Sequence, residues 1–263
     1  MTNRERLFQN GKCMIGMVHC LPLPGTMGYG GDMGKIIEQA VADAVLLEQV
    51  GFDAIIVENM GDAPFAAKMD EEQKAALAVV AAYIKEKVHL PVGIDAAFSD
   101  YQAGLAIANA IGAAMVRIPV FVDTVVTACG ILHPCAREVV RYRKDIGAED
   151  VLIFADIQVK HSHMLVDSIS IHESAEMAAE NGADAIIVTG AQIGMETPLA
   201  VIEEVKKTVS IPVIAGSGFT PKNGKAQLAI ADGAIVGSSL KQGGKIANPV
   251  DKELAMAVIQ SIR

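Results

Sequence analysis

Tryptophan is absent from the chain, and Phe, Trp and Tyr together make up 4% of it. The interior therefore has to be filled by small aliphatic side chains, as in the Val- and Ile-rich strands of a parallel sheet covered on both faces. Cysteine is scarce. Cys13, Cys20, Cys129 and Cys135 have neither metal-ribbon spacing nor the density of a secreted disulfide scaffold, so they are expected to be reduced thiols of a cytoplasmic protein. Basic charge is outnumbered, with 22 Lys and Arg against 31 Asp and Glu, for a net charge of −9. Such a field repels nucleic acid and anionic lipid, so a small anionic ligand has to be held by local groups. Long apolar runs are missing as well. The most extended, AALAVVAAYI at 75–84, is too short to span a bilayer, and no apolar signal core follows the charged start MTNRERLFQNGK.

What is present is an alternation of short apolar runs with longer amphipathic ones. The 263 residues, 51% of them apolar and 20% charged, suit a soluble chain with a large core. Eight strands are expected, beginning with CMIGMVH, DAIIVEN, PVGID and AAMVRI and continuing with VLIFADIQV, DAIIVTG, IPVIAG and AIVGSS. Helices are expected at 33–50, 70–87, 101–111, within 134–146, at 172–180, 198–208 and 222–230, and at 251–261 to close the chain. The segment VFVDTVVTACGILHPC fits neither pattern. This βα alternation with no long polar linker predicts a single (β/α)8 TIM barrel over 1–263. A weak internal repeat agrees. GFDAIIVEN from 51 resembles GADAIIVTG from 182, LPVGI from 90 resembles IPVIA from 211, and GAAMVR from 112 resembles DGAIVG from 232, which pairs the second, third and fourth strands with the sixth, seventh and eighth.

Barrel enzymes build their sites at the C-terminal ends of the strands. The residues expected there are His19, Glu58, Asp95, Arg117, Asp156, Thr189, the turn Gly216, Ser217, Gly218 and the turn Gly237, Ser238, Ser239. The two small-residue turns follow the seventh and eighth strands, where glycine lets backbone N–H groups approach an anion and serine adds hydroxyl donors. They are read as a phosphate site. Glu58, Asp95 and Asp156 offer a general acid and a general base, with Arg117 as ion-pair partner or substrate clamp. Asp156 and Gln158 are expected on one side of the fifth strand. His19 is a further acid or base. Lys160 is open between proton shuttle, phosphate ligand, Schiff-base amine and solvated loop lysine. No cofactor is expected. His161 and His163 have the spacing of an extended pair able to hold a divalent metal, set against ordinary loop histidines. Arg141, Arg143 and Lys144 are read as a solvated helix face.

The motifs MIGMVHCLPLPG, DAIIVENMGDAPF, ADIQVKH, DAIIVTG, AGSGFT and IVGSSLKQGG resemble the BtpA family over about residues 12–260. The resemblance implies a barrel similar to phosphoribosylanthranilate isomerase and other phosphate-binding barrels, with Cys20 and Asp156 near the positions of a proton-transfer pair. It also implies a link to photosystem I accumulation, while other members accompany sugar-uptake genes. The chain departs from the family where GIDAAFSD replaces GVNVLRND and RIP replaces RVN, so Asp95 and Pro119 stand for amides on the rim. Two functions follow as expectations. One is an enzyme acting on a phosphorylated sugar or nucleotide-like metabolite by isomerase, lyase or hydrolase chemistry. The other is a non-catalytic factor for biogenesis or stability of a membrane complex. Homo-oligomerisation is left open.

Overall fold

In the computed structural model, which describes residues 1–9, 11–190 and 195–262, eight parallel strands close on one another. They are β1 (Cys13–His19), β2 (Ala54–Glu58), β3 (Val92–Asp95), β4 (Met115–Ile118), β7 (Leu152–Ile157), β9 (Ala185–Val188), β10 (Val213–Ala215) and β11 (Gly233–Val236). Each pairs with its sequence neighbours among these eight, and β11 returns to β1. This is a TIM barrel, as the alternation predicts.

The helices form where local signals place them. α2 (Met33–Val50) starts at Asp32, whose side chain accepts from the Lys35 N–H, and stops at Gly51, which takes a left-handed φ of 96°. Its buried stripe includes Ile36, Ala40, Ala44 and Leu47. α3 (Glu71–Lys87) opens on a capping box between Asp70 and Gln73 and ends with Lys85 and Lys87 in its last turn, where cations complement the helix dipole. α4 (Tyr101–Ile111), α5 (Ala136–Asp145), α6 (Ile171–Glu180), α7 (Leu199–Thr208), α8 (Gly224–Ile230) and α9 (Lys252–Gln260) complete the outer ring. The main apolar core lies between this ring and the outward faces of the strands.

Strand register sorts the side chains. Gly16 faces outward, where an added Cβ would meet Leu47, so Cys13, Ile15, Met17 and His19 face inward. The inner core stacks Met17, Ile56, Met115, Phe154, Ile187, Ile214 and Ile235 above Ile15, Ala54, Leu152 and Ala185. A helix absent from the sequence expectations, α1 (Asn3–Phe8), covers the bottom. Leu7 is buried there, Phe8 stacks on Phe154 with ring centroids 6.4 Å apart, and the Asn3 amide donates to the Asp150 carbonyl at 2.8 Å. Burying one such side chain contributes roughly 1.5–3 kcal/mol.

The unplaced segment after β4 is a hairpin, β5 (Val125–Thr127) and β6 (Gly130–Leu132), and β5 also pairs with β8 (His163–Met164) from the loop after β7. This three-stranded antiparallel sheet stands at the C-terminal end of the barrel. Val125, Leu132 and Val120 pack with Val159 beneath it, with Phe98 and Met164 against them. Val126 and Ile131, on its other face by register, are exposed, as is Leu165 just past β8.

Among the described residues no helix is long and apolar enough to cross a membrane.

Candidate active site

The inward positions one step above the apolar layers form a single polar ring. β-ladder register sets His19 beside Glu58, Glu58 beside Asp95 and Asp95 beside Arg117. Asp156 stands on β7 two residues above inward-facing Phe154. The ring therefore collects the charged residues expected at the strand ends, all of them buried.

Within the ring the charges are divided unevenly. Arg117 donates twice to Asp156, from Nε to Oδ2 at 2.8 Å and from Nη2 to Oδ1 at 2.9 Å, and its Nη1 lies 3.5 Å from Asp95 Oδ2. Burial works against its charge, but Asp156, Asp95 and Glu58 together hold the guanidinium ionised beyond its ordinary range. Asp156 is wholly buried and both its oxygens are engaged, so its geometry fits a holder of Arg117 rather than the acid or base expected of it. Asp95 differs. Its Oδ1 has no partner among the described residues, and burial followed by the neighbouring Glu58 raises its pKa well above the ordinary carboxylate value. Burial also raises Glu58, against the pull of Arg117 and Lys160. His19 Nε2 lies 3.4 Å from Glu58 Oε2, the length of an ion pair. Burial, then Lys241, Lys160 and Arg117, push the His19 pKa down to about 3, so the contact is between a neutral imidazole and a carboxyl group. We read it as a polar contact because an imidazolium so deep beside three cations has no water to stabilise it.

Above the ring opens a cavity of about 320 Å³. His19, Glu58, Asp95, Arg117 and Lys160 line its floor, and Gly216–Phe219 with Gly237–Ser239 line one side. The opposite side is apolar, made of Met60, Pro64, Phe65, Phe98 and Val159, with the hairpin tip Thr127–Cys129 above. Sequence reasoning missed this wall, since its residues lie in irregular loops without a period to reveal them.

The small-residue turns reach the cavity, but not through all the hydroxyls expected. Ser217 Oγ accepts from the Gly190 N–H at 2.6 Å and donates to the Met195 carbonyl at 3.0 Å, and Ser239 Oγ donates to the Phe219 carbonyl at 2.7 Å. Both hydroxyls therefore hold loops together. Among the described residues the Ser238 hydroxyl has no partner and the N–H groups of Gly218, Phe219, Ser238 and Ser239 have no acceptor. Gly218 has φ +63°, and a Cβ there would lie 2.4 Å from the Glu196 backbone. Packing of the neighbouring loop thus demands this glycine independently of any ligand. Lys241, buried behind the second turn, donates to the Asn248 carbonyl at 2.8 Å and lies 3.4 Å from Asp43, fixing the 238–250 loop against α2.

Other expected residues fall elsewhere. Thr189 Oγ1 accepts from the Lys160 N–H at 3.0 Å, so it positions the lysine loop. β7 ends at Ile157, and Gln158 turns away at φ 44° to donate to the Ile169 carbonyl at 3.0 Å, off the side taken by Asp156. His161 has φ 64° and lines the cavity while His163 sits exposed in β8, so the two are not an extended pair. No three His, Cys, Asp or Glu residues form a metal-sized group among the described residues. Cys20 occupies an outward position in the main core, where burial raises its pKa, so it does not meet Asp156 as the isomerase resemblance implies. Arg143 is not a solvated residue. It donates to Asp184 at 2.8 Å and ties α5 to the start of β9. Of the stretch AQIGMET at 191–197, read from the sequence as a loop after the sixth strand, residues 191–194 lie outside the described residues.

Two further buried side chains support the floor, Asn59 at the end of the predicted second strand and Asp123 in the stretch that fitted neither pattern. Asn59 bonds in both directions to the Ala97 backbone, accepting at 2.8 Å and donating at 3.2 Å, which joins the β2 and β3 loops. Asp123 accepts from the Gln158 N–H at 2.7 Å and from the Ser174 hydroxyl at 2.7 Å. Asp123→Ala leaves the buried Ser174 hydroxyl and the half-buried Gln158 N–H without this acceptor and is expected to cost about 1–3 kcal/mol. A urea midpoint unchanged from the parent would show that water replaces the carboxylate.

Residues 10–263 match the family model described as the BtpA family. An uncharacterized protein of Pyrococcus furiosus is 41% identical over 250 residues, covering 95% of this chain and 94% of that one. The Photosystem I biogenesis protein BtpA of Synechocystis is 34% identical over 258 residues, covering 97% of this chain and 89% of that one. Among solved structures, (S)-3-O-geranylgeranylglyceryl phosphate synthase from Thermoplasma acidophilum, in complex with substrate sn-glycerol-1-phosphate, has a TM-score of 0.65 at 21% identity and covers 100% of this chain and 98% of its own. Thiamine phosphate pyrophosphorylase from Pyrococcus furiosus has a TM-score of 0.59 at 14% identity, covering 97% of each chain. At these identities the structural likeness speaks for the TIM-barrel fold alone.

Proposed function

The chain belongs to the BtpA family, and we propose that it is an enzyme acting on a phosphorylated small molecule by acid–base chemistry. The observation that carries this reading is one cavity lined on one side by the unpartnered backbone N–H groups of Gly218, Phe219, Ser238 and Ser239 and on its floor by Glu58 and Asp95. Free N–H groups in small-residue turns after the last two barrel strands suit an anion. The two carboxyl groups, neighbours in register and both raised by burial, suit a pair that shares a proton, with Asp95 as the acid and Glu58 as the base. His19 keeps Glu58 in place as a neutral partner, and Asp156 holds Arg117 toward the mouth. Two fold neighbours act on or contain phosphate compounds by their names, which agrees with an anion at this end.

Thermal shift in ribose 5-phosphate and in inorganic phosphate tests the anion half. Binding at one hundred times the dissociation constant raises stability by about 2.7 kcal/mol. Ser238→Asp places a carboxylate among the free N–H groups and is expected to abolish the shift while leaving the unliganded melting temperature within about a degree or two. No shift with either compound, in the parent protein, would sink the reading.

The reading as a non-catalytic factor for biogenesis of a membrane complex draws on the Synechocystis relative's name and on the exposed Val126 and Ile131 of the small sheet and Leu165 just past it. Against it stands the cavity under that sheet, with a raised carboxyl pair that a purely structural surface has no need to keep buried.

A further inference from the structure

Among the described residues no ion pair and no hydrogen bond holds the Lys160 amine, whereas Arg117 and Asp95 on the same floor are paired with each other. The lysine's backbone is fixed all the same, with its N–H bonded to Thr189 Oγ1. The side chain is half-buried and lines the same cavity as Glu58, Asp95, the free N–H groups and the apolar wall of Met60, Phe65, Phe98 and Val159. A phosphate-clamping lysine works as a charge, whereas a nucleophilic lysine needs a dry wall, a cationic neighbour and nearby acids to move protons. Lys160 has the wall, Arg117 as the neighbour, and the two carboxyl groups.

We propose that Lys160 is the nucleophile of the site, forming a Schiff base with the carbonyl carbon of a phosphorylated aldehyde or ketone. The inference rests on the phosphate reading above and names the substrate class within it. Burial and Arg117 lower the lysine's pKa, against the pull of Glu58, Asp156 and Asp95, which raises the share of free amine at neutral pH. In the first step the amine lone pair forms the C–N bond while the carbonyl π pair moves onto oxygen, which takes the Asp95 proton. Glu58 then removes one proton from the nitrogen and gives it to the hydroxyl, which departs as water. The product is an iminium beside an ionised Asp95. One water is lost and one proton consumed, and no oxidant or reductant is needed. An iminium draws electrons from the adjacent carbon, so it serves proton abstraction and carbon–carbon cleavage alike.

Pyridoxal 5′-phosphate joins an aldehyde, a phosphate and a flat ring in one probe. The full-length protein is incubated at pH 7 with the probe at a level equal to the protein, reduced with borohydride, and mapped by peptide mass spectrometry. The expected result is one reduced adduct, on Lys160, at least tenfold above any surface lysine, and absent in Lys160→Arg. Adduct spread over exposed lysines with Lys160 unmodified overturns the proposal. Inorganic phosphate separates the two readings. Labelling of Lys160 that phosphate fails to suppress keeps the nucleophile and removes the phosphate site. A phosphate-dependent thermal shift with Lys160 unlabelled keeps the phosphate site and removes the nucleophile.

Discussion

Arg117→Met is expected to lower the unfolding free energy by about 3–5 kcal/mol, measured as a fall in the urea midpoint at pH 7. The effect comes less from the lost guanidinium than from what remains. Asp156 has no exposed surface and both its carboxylate oxygens bind Arg117, so the variant leaves a buried carboxylate with neither oxygen hydrogen-bonded. Arg117→Lys does not repair it, because an ammonium cannot make the parallel pair of N–H···O bonds at 2.8 and 2.9 Å. The double variant Arg117→Met with Asp156→Leu removes the orphan and is expected to recover most of the loss. If the single variant stays within about 0.5 kcal/mol of the parent, water reaches Asp156 and the ion pair is not the keystone of the ring.

This ion pair shows which part of the site a sequence can disclose. Period-two alternation in strands that all run one way puts His19, Glu58, Asp95, Arg117 and Asp156 on one rim before any coordinates are known, because every barrel strand ends at the same height. Which carboxylate takes the arginine depends on side-chain reach across β4 and β7, which the sequence does not encode in any period. The expectation that Asp156 does the chemistry yields for that reason. Ser217 shows the same limit, for its place after β10 is legible but the Gly190 and Met195 groups that engage its hydroxyl lie in another loop.

Short elements were the harder ones to read. β5 and β6 have three residues each, too few for alternation to stand out, and their third partner β8 arrives from beyond α5 and β7. α1 has six residues and gains its stability from plugging the barrel, so nothing local announces it beyond the capping box of Thr2 and Glu5. Gln158 illustrates a third cause. The apolar run suggests a strand to Val159, yet the Asp123 carboxylate captures the Gln158 N–H and turns the backbone at φ 44°, a tertiary bond overriding a local pattern.

Asp95→Asn separates function from stability within the ring. The rate at which Lys160 captures pyridoxal 5′-phosphate is expected to fall by about 10²–10⁴-fold, since an amide cannot give up a proton to the carbinolamine oxygen. Stability should move the other way. Burial, and then Glu58, raise the folded pKa of Asp95 above its unfolded value, so between the two values the folded protein binds more protons than the unfolded one. Stability from this group is therefore fully present below the ordinary carboxylate range and is lost as pH rises through the raised value. The Asn variant carries no such loss, and Arg117 keeps its bidentate partner Asp156. Its melting temperature should equal or exceed the parent's at pH 8, and the difference should shrink toward pH 4. His19 gives the opposite slope in both proteins, since its folded pKa of about 3 lies below the unfolded 6.5 and its contribution is lost as pH falls between them. The parent-minus-variant difference cancels that common slope and isolates Asp95. A variant that is less stable than the parent by a constant amount at every pH would mean that Asp95 serves Arg117 as a structural partner. The proton for imine formation would then have to come from Glu58.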